Sequence, residues 1–209
     1  MKRKMMKKAM VMVLALAMVC VASVAGTLAY LSHKTEKVTN TFVIGSLFEN
    51  ATQDFALMEH KLANDGEGVN GVFTLTTDLV TTNKYKNVLP GVNVPKDPFV
   101  RVNGLKEDAY LFLVVEDNTG NHISFVMDSK WEPYETENGK SIYVYKEADN
   151  DYILDRNTTE QINILKDKKV TVDKAFADDT DINISFTAYI IQSAGLTGRE
   201  AAWAAIKTN

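Results

Sequence analysis

The residue types in this chain that could hold a metal or move a proton are three histidines, His33, His60 and His122, and two acidic clusters, Asp149-Asn150-Asp151 and Asp178-Asp179-Thr180-Asp181. A catalytic zinc takes three protein ligands. Glu59-His60 lacks the second histidine, four residues on, that would complete a zinc pair on one helix face. Zinc would therefore require all three histidines to converge in the fold. The acidic clusters offer hard oxygen ligands suited to calcium, but neither has the spacing of an EF-hand loop. Calcium is an expectation resting on ligand type alone, and no metal ligand or catalytic residue is assigned. No G-x-S-x-G occurs, and Gly66-Glu67-Gly68-Val69-Asn70-Gly71 has no following Lys-Ser/Thr with which to cradle a phosphate, so it reads as a hairpin connection. Leu89-Pro90-Gly91-Val92-Asn93 looks like a wall-sorting signal, yet lies mid-chain with no apolar tail after it.

The segments that would carry such groups begin with an export signal. Residues 1–8, M-K-R-K-M-M-K-K, carry five positive charges, and Ala9 to Leu31 contains none of either sign. A basic region followed by an apolar run is what export machinery reads, although a run of about 20 residues can also span a bilayer. Small residues end the run, and Thr27-Leu28-Ala29 fits the small-x-small pattern of a peptidase site, so cleavage is expected between Ala29 and Tyr30. Residues 30–209 then carry 18 basic and 27 acidic side chains, a charge near −9. That balance argues against nucleic acid or anionic lipid as a main partner, since both call for a basic face. Cys20, the one cysteine, lies inside the apolar run and is preceded by Val19, where lipid attachment would want a small residue. The exported part is cysteine-free, and its stability must come from a packed core. One domain of about 180 residues is large enough to bury roughly 70% of its unfolded surface.

Period-two patterning dominates that domain. Val72 to Thr76, Ile142 to Tyr145, Val170 to Val172 and Ile182 to Phe186 read as half-buried strands. Ala109 to Val115 and Thr187 to Ile191 are continuously apolar and read as central strands covered on both faces. Asn, Asp and Gly clusters at 64–68, 116–121, 137–140 and 147–151 supply the turns. Many short strands with regular turns predict an all-β, jelly-roll-like β-sandwich. One helix is expected, at 198–207. Thr197-Gly198-Arg199-Glu200 has the form of a capping box, and Arg199, Ala202, Trp203 and Ile206 make one stripe that would dock through Trp203 and Ile206.

The N-terminal stretch also carries a resemblance. G-T-L-A-Y-L-S, matched at Gly26, Thr27, Ala29, Tyr30 and Ser32, precedes N-T-F-V-I-G-S-L, matched at Asn40, Phe42, Gly45 and Leu47. This resembles the start of the TasA and camelysin family of secreted bacterial proteins, whose signals are removed by a SipW-type peptidase. Leu89 to Val115 is similar to the family's element of Pro-Gly, Lys, a strand ending in Asn and Gly, and an apolar strand, although Asn103 and Gly104 are adjacent here where the family has a residue between them. The ending A-Y-I-I-Q-S-A-G-L-T-G-R-E-A-A-W-A-A-I is similar as well, whereas residues 116–180 carry no matching motif. The resemblance implies a jelly roll, secretion to the matrix or surface of a Gram-positive-type bacterium, and assembly into biofilm fibres by donation of an N-terminal strand. Camelysins are also described as surface proteases, and this chain has no recognisable metal motif for that.

Donation is physically reasonable. Residues 30–47 form a leader followed by a strand-prone segment with Phe42, Val43, Ile44 and Leu47. Burying those side chains would contribute on the order of 6–12 kcal/mol, against about 8–16 kcal/mol to order eight residues. Such a segment is held only by also joining a sheet ladder, its own or a neighbour's. The expectation is a non-enzymatic homo-polymer whose export partner is the peptidase and whose only membrane contact is through the uncleaved signal. The alternatives are a camelysin-like metalloprotease and a monomeric adhesion or binding module.

Overall fold

The computed structural model describes residues 47–147, 152–175 and 182–208, together with the backbone of a short strand at 32–34. The expected signal peptide, both acidic clusters proposed for calcium, and Thr27, Ala29, Tyr30, Phe42, Val43 and Ile44 lie outside the described residues.

The chain is an antiparallel β-sandwich with a helix laid on one outer face. The larger sheet runs in the order β1 (Ser32–Lys34), β13 (Asn183–Gln192), β6 (Ala109–Asn118), β9 (Lys140–Tyr145), β8 (Trp131–Glu137), with β10 (Ile153–Leu154) pairing β6 beside β9. Facing it is a four-stranded sheet in the order β11 (Thr159–Asn163), β5 (Phe99–Asn103), β2 (Phe55–Leu62), β3 (Leu75–Val80). A small third sheet joins β4 (Asn93–Pro95), β12 (Lys169–Val172) and β7 (Ile123–Ser124). Helix α1 (Ala51–Asp54) is a single turn leading into β2, and α2 (Arg199–Lys207) ends the described chain.

Successive residues of a strand point to opposite faces, and β6 uses both. Ala109, Leu111, Leu113 and Val115 join Phe186, Ala188 and Ile190 of β13 in the central core, against Phe55, Leu62, Val100, Val102 and Ile162 of the facing sheet. Tyr110, Phe112 and Val114 face the other way, into a second cluster with Ile142, Val144, Ile191 and the helix residues Ala202, Trp203 and Ile206. The continuously apolar reading of Ala109 to Val115 is thus explained: one face meets a sheet and the other a helix.

Three expectations are corrected. Ile182 to Phe186 and Thr187 to Ile191 are not two strands: Asn183–Gln192 is one ten-residue strand, paired throughout with β6, because no turn residue divides it. Of Val72 to Thr76 only Leu75 and Thr76 lie in a strand, the start of β3: Val69 and Val72 close a two-residue turn at Asn70 (φ 53°) and Gly71 (φ 75°) before it. The capping box does not form. Gly198, at φ 94°, is the N-cap residue itself and makes no side-chain cap, which leaves Thr197 outside the helix, while Glu200 turns to Arg199 at 3.3 Å. At Glu137 to Lys140 the turn signal gives a two-residue hairpin between β8 and β9, with Asn138 (φ 52°) and Gly139 (φ 77°) in the left-handed region such a turn demands.

Candidate functional site

A sheet that recruits another strand must offer a straight, regular edge, so the two edges of the larger sheet decide what it can do. The β8 edge is blunted. Pro133 has no N–H to give, the register slips between Pro133 and Glu135, and Glu132, Glu135 and Glu137 charge the strand. At the opposite end β13 is ten residues long, pairs β6 without a slip, and carries the apolar run Ala188 to Ile191. Here Ser32, His33 and Lys34 pair antiparallel with Ile191, Ile190 and Tyr189.

The strand at this edge is not the segment singled out by hydrophobicity. Ser32 to Lys34 belong to the stretch read as a polar leader, three residues beyond the expected cut after Ala29. Leu47, grouped with the donor segment, is instead fully buried in the central core beside Phe48, and its carbonyl accepts the Lys106 N–H at 2.9 Å. Only position relative to the cut could have pointed to Ser32 to Lys34, since S-H-K has no apolar alternation.

The helix-docking residues come together with a polar latch. Trp203 packs on Phe112 with ring centroids 5.1 Å apart and edge-on to Tyr189 at 5.9 Å, its indole N–H donating to Glu135. Ile206 is buried in the same cluster. At the helix start the Arg199 guanidinium lies 4.2 Å from the Tyr152 ring centre and donates to Glu132 at 3.0 Å. Glu132 also accepts from Lys146 at 2.9 Å and from the Tyr152 hydroxyl at 2.7 Å. Those donors, Lys146 foremost, hold its carboxyl down to about 2.

Two further polar clusters are structural in form. His60 Nδ1 lies 2.6 Å from Asp97 Oδ2, and beside it Lys96 donates to buried Glu59 at 2.9 Å. The Tyr85 hydroxyl donates to the Pro95 carbonyl at 2.7 Å, and burial pushes that phenol upward. The buried Tyr145 hydroxyl donates to Glu147, with Glu160 Oε1 3.1 Å away; burial first, then the bond to Glu147, raises its phenol so that it stays a donor. His60 sits on β2 and His122 in the turn after β6, each in its own setting, and only the backbone of His33 is described. No group of three or more His, Cys, Asp or Glu that could hold a metal occurs among the described residues.

No protein-family model, curated protein or solved structure matches the chain. Its own geometry is what bears on function.

Proposed function

We propose that this protein is a secreted, non-enzymatic subunit of an extracellular or biofilm-matrix fibre, joined to its neighbour when the N-terminal segment adds to the β13 edge of the next copy. The observation that carries this reading is the antiparallel pairing of Ser32–Lys34 with Tyr189–Ile191, directly downstream of the expected cleavage sequence. A three-residue ladder contributes few hydrogen bonds, each worth about 0.5–1.5 kcal/mol net, against the cost of ordering its backbone. Pairing within the chain is therefore exchangeable for the same pairing between copies. Asymmetry of the two edges supports one direction of growth, because the β8 edge, with Pro133 and its bulge, resists a second strand. Resemblance of the Gly26 to Leu47 region to the TasA and camelysin family points the same way.

A second reading, a monomeric surface module, draws on the same pairing being made within one chain. One experiment separates them. Exported protein carrying the double change His33→Pro and Lys34→Pro removes N–H donors from the added strand without touching the core. Electron microscopy is expected to show fibres for the parent and none for the variant, with thermal midpoints within about 2 °C of each other. Fibres from the proline variant would end the strand-addition reading, and a parent that elutes only as a monomer would establish the second. An Ala29 variant that resists cleavage is likewise expected to form no fibres.

A further inference from the structure

The larger sheet has its outer face covered by α2, whereas the outer face of the four-stranded sheet carries a cation with no partner among the described residues. Val100 and Val102 of β5 point into the central core, so Arg101 between them points out. In register beside it stand Gln161 of β11 and Ala56 of β2. The neighbouring rungs place Asn103 and Thr159 on one side, and Asn163, Phe99 and Met58 on the other. Arg101 is half-buried, its Nε is shut off from solvent, and that nitrogen has no hydrogen-bond partner. No ion pair or hydrogen bond to the Arg101 side chain occurs among the described residues.

This sets Arg101 apart from the other half-buried cations of the described residues. Lys96, Lys130, Lys146 and Arg199 each meet a glutamate. The half-buried Arg199 meets Glu132 and also lies over an aromatic ring, while the half-buried Arg101 has neither. A guanidinium partly removed from water with no counter-charge costs stability, so a chain that keeps one gains from it elsewhere. The planar fork of a guanidinium fits a carboxylate bidentately. Amides at Gln161 and Asn163 flank it on the β11 side, and Ala56, Phe99 and Met58 give an apolar floor on the other.

We propose that Arg101 is the recognition point on this sheet face for a carboxylate of a second copy of the chain. Choice of a second copy rests on the fibre reading and on charge: residues 30–209 have 27 acidic against 18 basic side chains, so each copy carries surplus carboxylates. Between two chains of that sign a positive spot relieves repulsion and favours one orientation of approach. The contact adds lateral or axial cohesion, and is separate from strand addition, which is made by backbone at β13.

The test uses full chain in mild non-ionic detergent, with unlabelled and nitrogen-15-labelled copies mixed. Arg101→Lys keeps the charge and supplies an amine that a carbodiimide can couple to a carboxylate within contact. Peptide mass spectrometry is expected to find that amine joined to an Asp or Glu of a copy with the other label. Arg101→Leu is expected to weaken self-association by about thirtyfold or more in sedimentation velocity. It should also raise the thermal midpoint by about 2 °C, because an unpaired half-buried charge has been removed. Coupling only within one chain, or association unchanged in Arg101→Leu, would overturn the inference, as would a lowered midpoint, which marks a structural arginine. Loss of fibres in the β1 proline variant with no effect of Arg101→Leu would leave the fibre reading standing and this contact refuted.

Discussion

At the residue scale, Leu47 and Glu132 show how one side chain fixes a boundary or a latch. Leu47 has no solvent exposure and lies in the central core. Leu47→Ala is therefore expected to cost about 2–5 kcal/mol, the range for a buried leucine truncated in a packed core. Urea unfolding monitored by tryptophan fluorescence would measure it; a loss under about 0.5 kcal/mol would return Leu47 to a detachable segment. Glu132 is held to about 2 by Lys146, Tyr152 and Arg199. A carboxylate whose folded value is depressed stabilises the fold above its ordinary value near 4.5, and that stabilisation drains away as pH falls towards 2. Glu132→Gln should thus lower the thermal midpoint at pH 7 while leaving it close to the parent's at pH 2. Equal losses at both pH values would show that the ionised carboxylate is not what holds α2.

Elements show the same physics through their ends. Helix α2 is nine residues long, too short to be stable by itself, and depends on the buried face of Ala202, Trp203 and Ile206. Its start is set by Gly198 at φ 94°, a conformation that side chains rarely adopt. Thr197→Ala is accordingly expected to change stability by less than about 0.5 kcal/mol, where removal of a true capping threonine would cost about 1 kcal/mol. Gly198→Ala should cost about 1 kcal/mol or more from the left-handed backbone alone. Chemical denaturation of the two variants side by side reads the order directly; a larger loss at Thr197 would restore the capping box. Strand β8 makes the complementary point. Its bulge and Pro133 stop pairing on one side while Trp131, whose indole N–H donates to the Asn163 carbonyl at 2.8 Å, ties the strand to β11 of the facing sheet.

For the whole molecule, the arrangement is a central core between two sheets, a second core under the helix, and a second outer sheet face on which no helix lies among the described residues. The helix covers the outer face of the larger sheet, and the two surfaces that the proposals above assign to neighbouring copies are the β13 edge and the face around Arg101. They differ in kind. An edge is recognised through backbone hydrogen bonds and tolerates salt, whereas a guanidinium and a carboxylate attract each other less as salt screens them. Under the proposed assembly, the proline changes in β1 and the loss of the Arg101 charge are expected to act on separate steps, which fibre length against ionic strength would separate.

The sequence alone was sufficient for the all-β class, for the two-faced burial of Ala109 to Val115, for the Asn138-Gly139 hairpin and for the docking stripe of α2. Those features are local: alternation, turn chemistry and helical spacing act over a few residues and leave their mark in order. Tertiary structure alone decided that Leu47 belongs to the core, that Ser32 to Lys34 lie on β13, that Gly198 displaces the capping box, and that Arg101 has no counter-charge among the described residues. Each depends on which distant segment arrives beside which, and the pairing of residues 32–34 with 189–191 bridges most of the chain. Neither hydropathy nor spacing encodes such a meeting, because its free energy resides in contacts that exist only once the sheets have closed.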